Sequence, residues 1–92
     1  MSKSIPTLRD HLSQFLLERF PQISPADLDE DKPLLTSGAL DSLGVLELVA
    51  FIEENYSIEL QDEDLVPDNF DRLSALVEFV EQRKWIEWFR PP

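Results

Sequence analysis

Gly38-Ala39-Leu40-Asp41-Ser42-Leu43, running into Gly44-Val45-Leu46-Glu47-Leu48-Val49-Ala50-Phe51-Ile52-Glu53-Glu54, is the stretch that decides the fold. A glycine-marked loop delivers one serine to the start of an apolar-periodic run, which places Ser42 at a helix N-terminus. That end of a helix presents unpaired backbone N–H groups and about half a positive charge, so a phosphate can rest there. Nothing nearby reads as a base able to activate the hydroxyl. Ser42 therefore reads as an attachment point on which another enzyme acts, with the rest of the chain as its holder.

The helix that follows is expected over about Ser42 to Asn55. Leu46, Val49, Ala50 and Ile52, with Leu43 at the start, form the expected inner face, and Leu48 and Phe51 widen it. Glu47, Glu53 and Glu54 mark the wet side. So broad an apolar stripe suits the central helix of a bundle. Either Asp41 or Ser42 can be the N-cap, and capping alone is the plainer account of the serine. Val45 at the third position completes no capping box with Ser42, and Asp41 caps equally well. Gly44 costs up to about 1 kcal/mol against alanine inside a helix, which suggests that a prosthetic arm or a partner approaches closely there.

Outward from this centre, a first helix is predicted over Leu8 to Arg19, with Thr7 as N-cap, Asp10 three residues on, and Pro6 and Pro21 bracketing the span. Leu8, Leu12, Phe15 and Leu16 recur at helical spacing. His11, the single histidine, has no carboxylate or serine partner in sequence range and is assigned no role. From Phe20 to Leu40 the chain reads as a long loop with one helical turn at Ser24-Pro25-Ala26-Asp27. Ile23, Leu28, Leu34, Leu35 and Leu40 are its candidate anchors, since loops this long need an anchor or a function.

Beyond the central helix, Tyr56-Ser57-Ile58-Glu59-Leu60 reads as an extended loop tucking Ile58 and Leu60 inward. Asp62 to Phe70 allows only a short helical turn, because Pro67 breaks a longer one. A last helix is expected over about Arg72 to Lys84, with Leu73, Leu76, Val77 and Val80 inside. Trp85-Ile86-Glu87-Trp88-Phe89 does not continue that face; a tail folded back on the bundle is the preferred account, a docking or self-association element the other. The predicted organisation is a tail at 1–6, one domain at 7–84 and an apolar extension at 85–92. The fold class is all-α, an up-and-down-like bundle of three main helices and one short one with a long first connection.

Ninety-two residues without cysteine make one small domain with no disulfide framework and no thiolate chemistry of its own. The net charge of −11 argues against nucleic acid or anionic lipid as a partner. No lysine, arginine or histidine lies between Lys32 and Arg72, whereas ten carboxylates do, from Asp41 to Asp71. Such a block can merely be a solvated face. Beginning at the attachment serine, it reads better as a surface that steers basic patches of partner enzymes. No run reaches the ~18 residues that span a bilayer, and no h-region opens the chain, so a cytoplasmic protein is expected.

Asp41-Ser42-Leu43 ahead of an acidic amphipathic helix, then Tyr56-Ser57-Ile58, then Asp68-Asn69-Phe70 before a last apolar helix, resembles the acyl carrier protein family over about Leu8 to Val80. The resemblance implies that Ser42, flanked by Asp41 and Leu43, carries 4'-phosphopantetheine through a phosphodiester, with acyl groups held as thioesters on its thiol. It implies partner contacts at Leu43, Val45, Glu47, Ala50, Glu53 and Glu54, although core packing competes for Leu43 and Val45. Val66 and Phe70 are placed near the cargo, Phe70 more as core. Gly44 stands where many relatives carry an acidic residue, which puts one partner contact in doubt. Neither a catalytic residue nor a metal is implied in the chain itself. The implied partners are a phosphopantetheinyl transferase with its own Mg²⁺, an acyl- or aminoacyl-loading adenylating enzyme, and downstream synthases or transferases, all visiting a monomer.

The run Asp68-Asn69-Phe70-Asp71-Arg72-Leu73-Ser74-Ala75-Leu76 is more similar to stand-alone carriers of natural-product pathways than to fatty-acid carriers, and Asp-Ser-Leu favours acyl over peptidyl types. A fatty-acid-synthesis carrier is the nearer alternative. An unmodified acidic adaptor is the alternative from another class, and an enzyme in its own right a poor third.

Overall fold

The structure, a computed structural model, describes residues 7–88. Its elements are α1 (Leu8–Arg19), α2 (Pro25–Asp29), α3 (Ser42–Tyr56), a single 3-10 turn (Asp62–Asp64), α4 (Pro67–Phe70) and α5 (Leu73–Trp88), with no strand among the described residues. The three long helices are those expected. The connection after α3 holds more structure than one turn, because Pro67 opens α4 at its first position, where a missing N–H costs nothing, instead of closing a turn.

Local chemistry explains the first boundaries. The Thr7 hydroxyl accepts from the Asp10 N–H at 3.1 Å, and the Asp10 carboxylate accepts from the Thr7 N–H at 3.3 Å. Ser24 and Asp27 repeat the reciprocal box at the head of α2. α1 buries Leu12 and Leu16 completely and half-buries Leu8 and Phe15. It lies antiparallel to α3: Arg19 at its end pairs with Glu47 near the start of α3, and His11 near its beginning lies 2.8 Å from the Tyr56 hydroxyl at the end of α3. α5 packs on α1 and α4 and buries Leu73, Leu76, Phe79 and Val80. Phe79 joins the predicted stripe, and Val77 is half-buried on its edge.

The last helix does not stop at Lys84. Its backbone continues as helix through Trp88, so 85–88 do not fold back. The side chains from Trp85 onward, the remainder of the 85–92 extension and the 1–6 tail lie outside the described residues.

The long connection between α1 and α3, which includes α2, is anchored by Ile23, Leu28, Leu34 and Leu40, all buried, with Leu35 half-buried. It is also stitched to the start of α5. The Asp31 carboxylate accepts from the Ser74 N–H at 2.9 Å and the Ser74 hydroxyl at 2.6 Å, so it caps α5 from a distant loop. Arg72 donates to the Asp31 carbonyl. The Asp71 carboxylate in turn accepts from the N–H groups of Leu35 (2.9 Å) and Thr36 (3.2 Å) and from the Thr36 hydroxyl (3.1 Å). This seam fixes the strand of loop that delivers Ser42.

A chain of net charge −11 works against its own compaction. Raising ionic strength from about 0.01 M to about 0.15 M shortens the Debye length from about 30 Å to about 8 Å. The melting temperature is expected to rise over that range, because repulsion among many carboxylates outweighs ion pairs such as Arg19–Glu47, Lys32–Glu30 and Arg83–Asp64, which salt also screens. A scanning-fluorimetry series in NaCl checks this; a flat or falling profile contradicts it.

Candidate functional site

Ser42 is the first residue of α3 and is exposed. Asp41 is the N-cap: its carboxylate accepts from the Gly44 N–H at 2.8 Å, and its carbonyl accepts from the Val45 N–H at 2.9 Å. That division leaves the Ser42 hydroxyl out of the capping and leaves the N–H groups of Ser42 and Leu43 without carbonyls of their own helix to meet.

The inner face of α3 is Gly44, Leu48 and Ile52, flanked by half-buried Val45, Val49 and Phe51. This corrects the expected face. Leu46 and Leu43 point out, 58% and 65% exposed, and Ala50 is exposed as well. At 100° per residue Leu43, Leu46, Glu47, Ala50 and Glu54 share one outward stripe. Core packing of Leu43 is thereby overturned, whereas Val45 does pack against the core. With eight apolar residues among positions 43–52, periodicity alone leaves more than one inner face open, and the tertiary partners decide which leucines stay dry.

Gly44 is likewise turned inward. A Cβ built there meets Leu40 Cδ1 at 2.7 Å and Phe20 Cε1 at 3.1 Å. The close approach that Gly44 permits is made by the chain's own loop, not by an arm or a partner. An acidic side chain at this position has no room in this packing.

Beside Ser42 lies an open groove of about 350 Å³, walled by Val45 and Leu46 of α3 and by Leu65, Val66, Pro67 and Phe70 across from them, with Leu35 also lining it. Val66 is 40% exposed on its rim, and Phe70 forms its floor at 1% exposure, with the Phe79 ring 5.8 Å behind. Leu46, expected in the core, opens onto this groove instead, and for Leu65, Leu35 and Pro67 spacing along the chain carries no signal. Arg83 fixes the far wall by pairing with Asp64 and donating to the Glu59 carbonyl at 2.8 Å, while Asn69 donates to the Asp64 carbonyl at 2.8 Å.

The three glutamates of α3 differ in availability. Glu53 accepts from the Leu60 N–H at 2.9 Å and ties down the loop that follows the helix. Glu47 pairs with Arg19. Glu54 is exposed and has neither hydrogen bond nor ion pair from its side chain among the described residues. No helix among the described residues is long and apolar enough to cross a membrane.

Comparison with known proteins identifies the family. The family model described as "Phosphopantetheine attachment site" matches residues 14–80. D-alanyl carrier proteins of Streptococcus pyogenes, among them those of serotype M5 (strain Manfredo) and serotype M49 (strain NZ131), are 27% identical to the chain over 73 residues, covering 77% of it and 92% of their own length. No solved structure matches it significantly. An exposed serine at a helix start, an apolar groove beside it and a match across most of the domain agree: the chain belongs to the phosphopantetheine attachment family, whose covalent cofactor is 4'-phosphopantetheine, and it is similar to stand-alone carrier proteins.

Proposed function

We propose that Ser42 is the residue to which 4'-phosphopantetheine is joined, and that the chain holds a small acyl or aminoacyl group as a thioester on the arm and presents it to biosynthetic enzymes. The supporting observation is the position of the hydroxyl: exposed, on the first residue of α3, at the mouth of the groove. The cofactor supplies a thiol, which a chain without cysteine lacks. The chain's residues supply place and charge. The N–H groups of Ser42 and Leu43 and the positive end of α3 favour a phosphodiester there. Asp41, one residue away, keeps its carboxylate on the Gly44 N–H and in water, whose high dielectric weakens its repulsion of a phosphate. Tethering then raises the concentration of cargo at each enzyme visited.

A transferase, an adenylating loading enzyme and later synthases would recognise the outward stripe of α3, where Leu43 and Glu54 are the most available contacts and Leu46 joins them. The D-alanyl cargo named for the relatives favours a small cargo over a long acyl chain; a dedicated natural-product-type pathway, in preference to general fatty-acid synthesis, rests on the run from Asp68 to Leu76. Residues 7–84 act as the carrier domain in this reading.

Incubation with coenzyme A and a broad-specificity transferase, followed by intact mass measurement, tests it. One phosphopantetheine is expected on the wild type and none on Ser42→Ala. A maleimide should label only the modified form. Unmodified wild type, or a modified Ser42→Ala, rejects the assignment, and the first outcome leaves the acidic-adaptor reading.

A further inference from the structure

On the flank of α3 opposite the groove, α1 and α3 leave a second trough. Two shallow concavities, about 230 Å³ and about 270 Å³, meet at the Phe15 and Phe51 rings, which both help to line. Those rings stack with centroids 4.0 Å apart and planes 18° from parallel, and both side chains are only half-buried. His11 closes one end of the trough, with its ring edge-on to Phe51 at 6.4 Å. The rim is charged. Glu18 on α1 and Glu47 and Glu54 on α3 face Arg19, the one cation lining it among the described residues, and Arg19 is already paired with Glu47.

We propose that this trough is a docking site for a cationic amphipathic helix of a partner protein, placed so that its apolar side lies on Phe15 and Phe51 and its lysines or arginines reach Glu18 and Glu54. Charge decides the occupant. Three carboxylates against one guanidinium repel an acidic segment, and likewise a second copy of this −11 chain. Shape agrees, because His11 to Arg19 spans about 12 Å at 1.5 Å per residue, some two turns of a helix laid in the seam between two antiparallel helices. Half-exposed stacked rings supply an apolar floor and a face for cation–π contact. The site extends onto α1, on which no contact was expected. It rests on the reading of α3 as a docking helix but not on any modification of Ser42.

The test uses the Ser42→Ala protein, so that failure here is separate from failure of the attachment assignment. The probe is a synthetic 18-residue leucine–lysine amphipathic helix, with a leucine–glutamate helix as control, in ¹⁵N chemical-shift titrations and fluorescence anisotropy. Shifts are expected to centre on His11–Arg19 and Glu47–Glu54. Glu18→Gln with Glu54→Gln should weaken binding about tenfold at low salt. The charge-matched pair Asp29→Asn with Glu81→Gln, both exposed and neither lining the trough, should weaken it less than about threefold. Equal losses for the two pairs, shifts centred on Leu43, Leu46 and Leu65, binding of the acidic helix, or self-association in place of binding would each overturn the proposal.

Discussion

Asp71→Ala is expected to lower the stability of the domain by about 2–3 kcal/mol, a fall in melting temperature on the order of 10–15 °C at this size. The carboxylate collects three donors from the 35–36 loop, and truncation removes all three acceptor contacts together. The Leu35 N–H is part-buried, so water replaces its partner poorly. The Thr36 groups are exposed and recover more, which keeps the estimate below the sum of three charge-assisted bonds. Chemical denaturation of the variant measures the loss, and a change under about 0.5 kcal/mol would mean that the loop is held by its leucines alone.

The same seam sets the acid limb of stability. Partial burial pushes the Asp71 carboxyl up, but bonds from the Thr36 and Leu35 N–H groups and the Thr36 hydroxyl, with Arg72 nearby, hold it below the ordinary 3.8. The Ser74 hydroxyl is the largest cause holding Asp31 below 3.8; burial opposes it, and the Ser74 N–H, Arg72 and Arg9 reinforce it. A depressed carboxyl pKa contributes stability that is present above the unfolded value and is lost as pH falls through the folded one. The loss attributable to these two groups therefore begins near pH 4 and deepens below it. Asp71→Asn keeps an acceptor for the two N–H groups but cannot titrate. It should start less stable than wild type at neutral pH and lose less on acidification.

These contacts also mark where the sequence stops being informative. Thr7 with Asp10, and Ser24 with Asp27, signal helix starts within four residues, and the structure honours both. The seam joins residues 35 to 43 apart, and no local pattern announces that Asp31 will cap α5 or that Asp71 will hold Thr36. The same limit applies at the site. That Ser42 opens a helix is legible from Leu40 to Ile52. Which side of that helix is wet depends on α1 on one flank and α4 on the other, and Leu43 and Leu46 are exposed because neither covers them. Pro67 is ambiguous for a related reason: a proline ends one helix or begins the next according to what precedes it, and here Val66 is extended.

Gly44→Val is expected to be at least as disruptive as the loss of Asp71, and it should reach the proposed attachment residue as well. A Cβ at this position already stands 2.7 Å from Leu40 Cδ1 and 3.1 Å from the Phe20 ring. Leu40 is 1% exposed and Phe20 7%, so neither side chain has free space to turn into. Alanine gains up to about 1 kcal/mol of helix propensity against an overpacking cost of about 1–3 kcal/mol, so Gly44→Ala should be mildly destabilising. Valine adds two methyl groups and a β-branch to the same contact, with an expected net cost of about 3 kcal/mol. The strain is relieved most readily by displacing Leu40, which lies two residues before Ser42 in the loop that ends at the cap. The rate of phosphopantetheine transfer should therefore fall in Gly44→Val even at temperatures where circular dichroism shows it folded, while Gly44→Ala stays within a few-fold of wild type. Equal transfer rates in all three proteins would mean that the loop before α3 shifts without moving the serine hydroxyl.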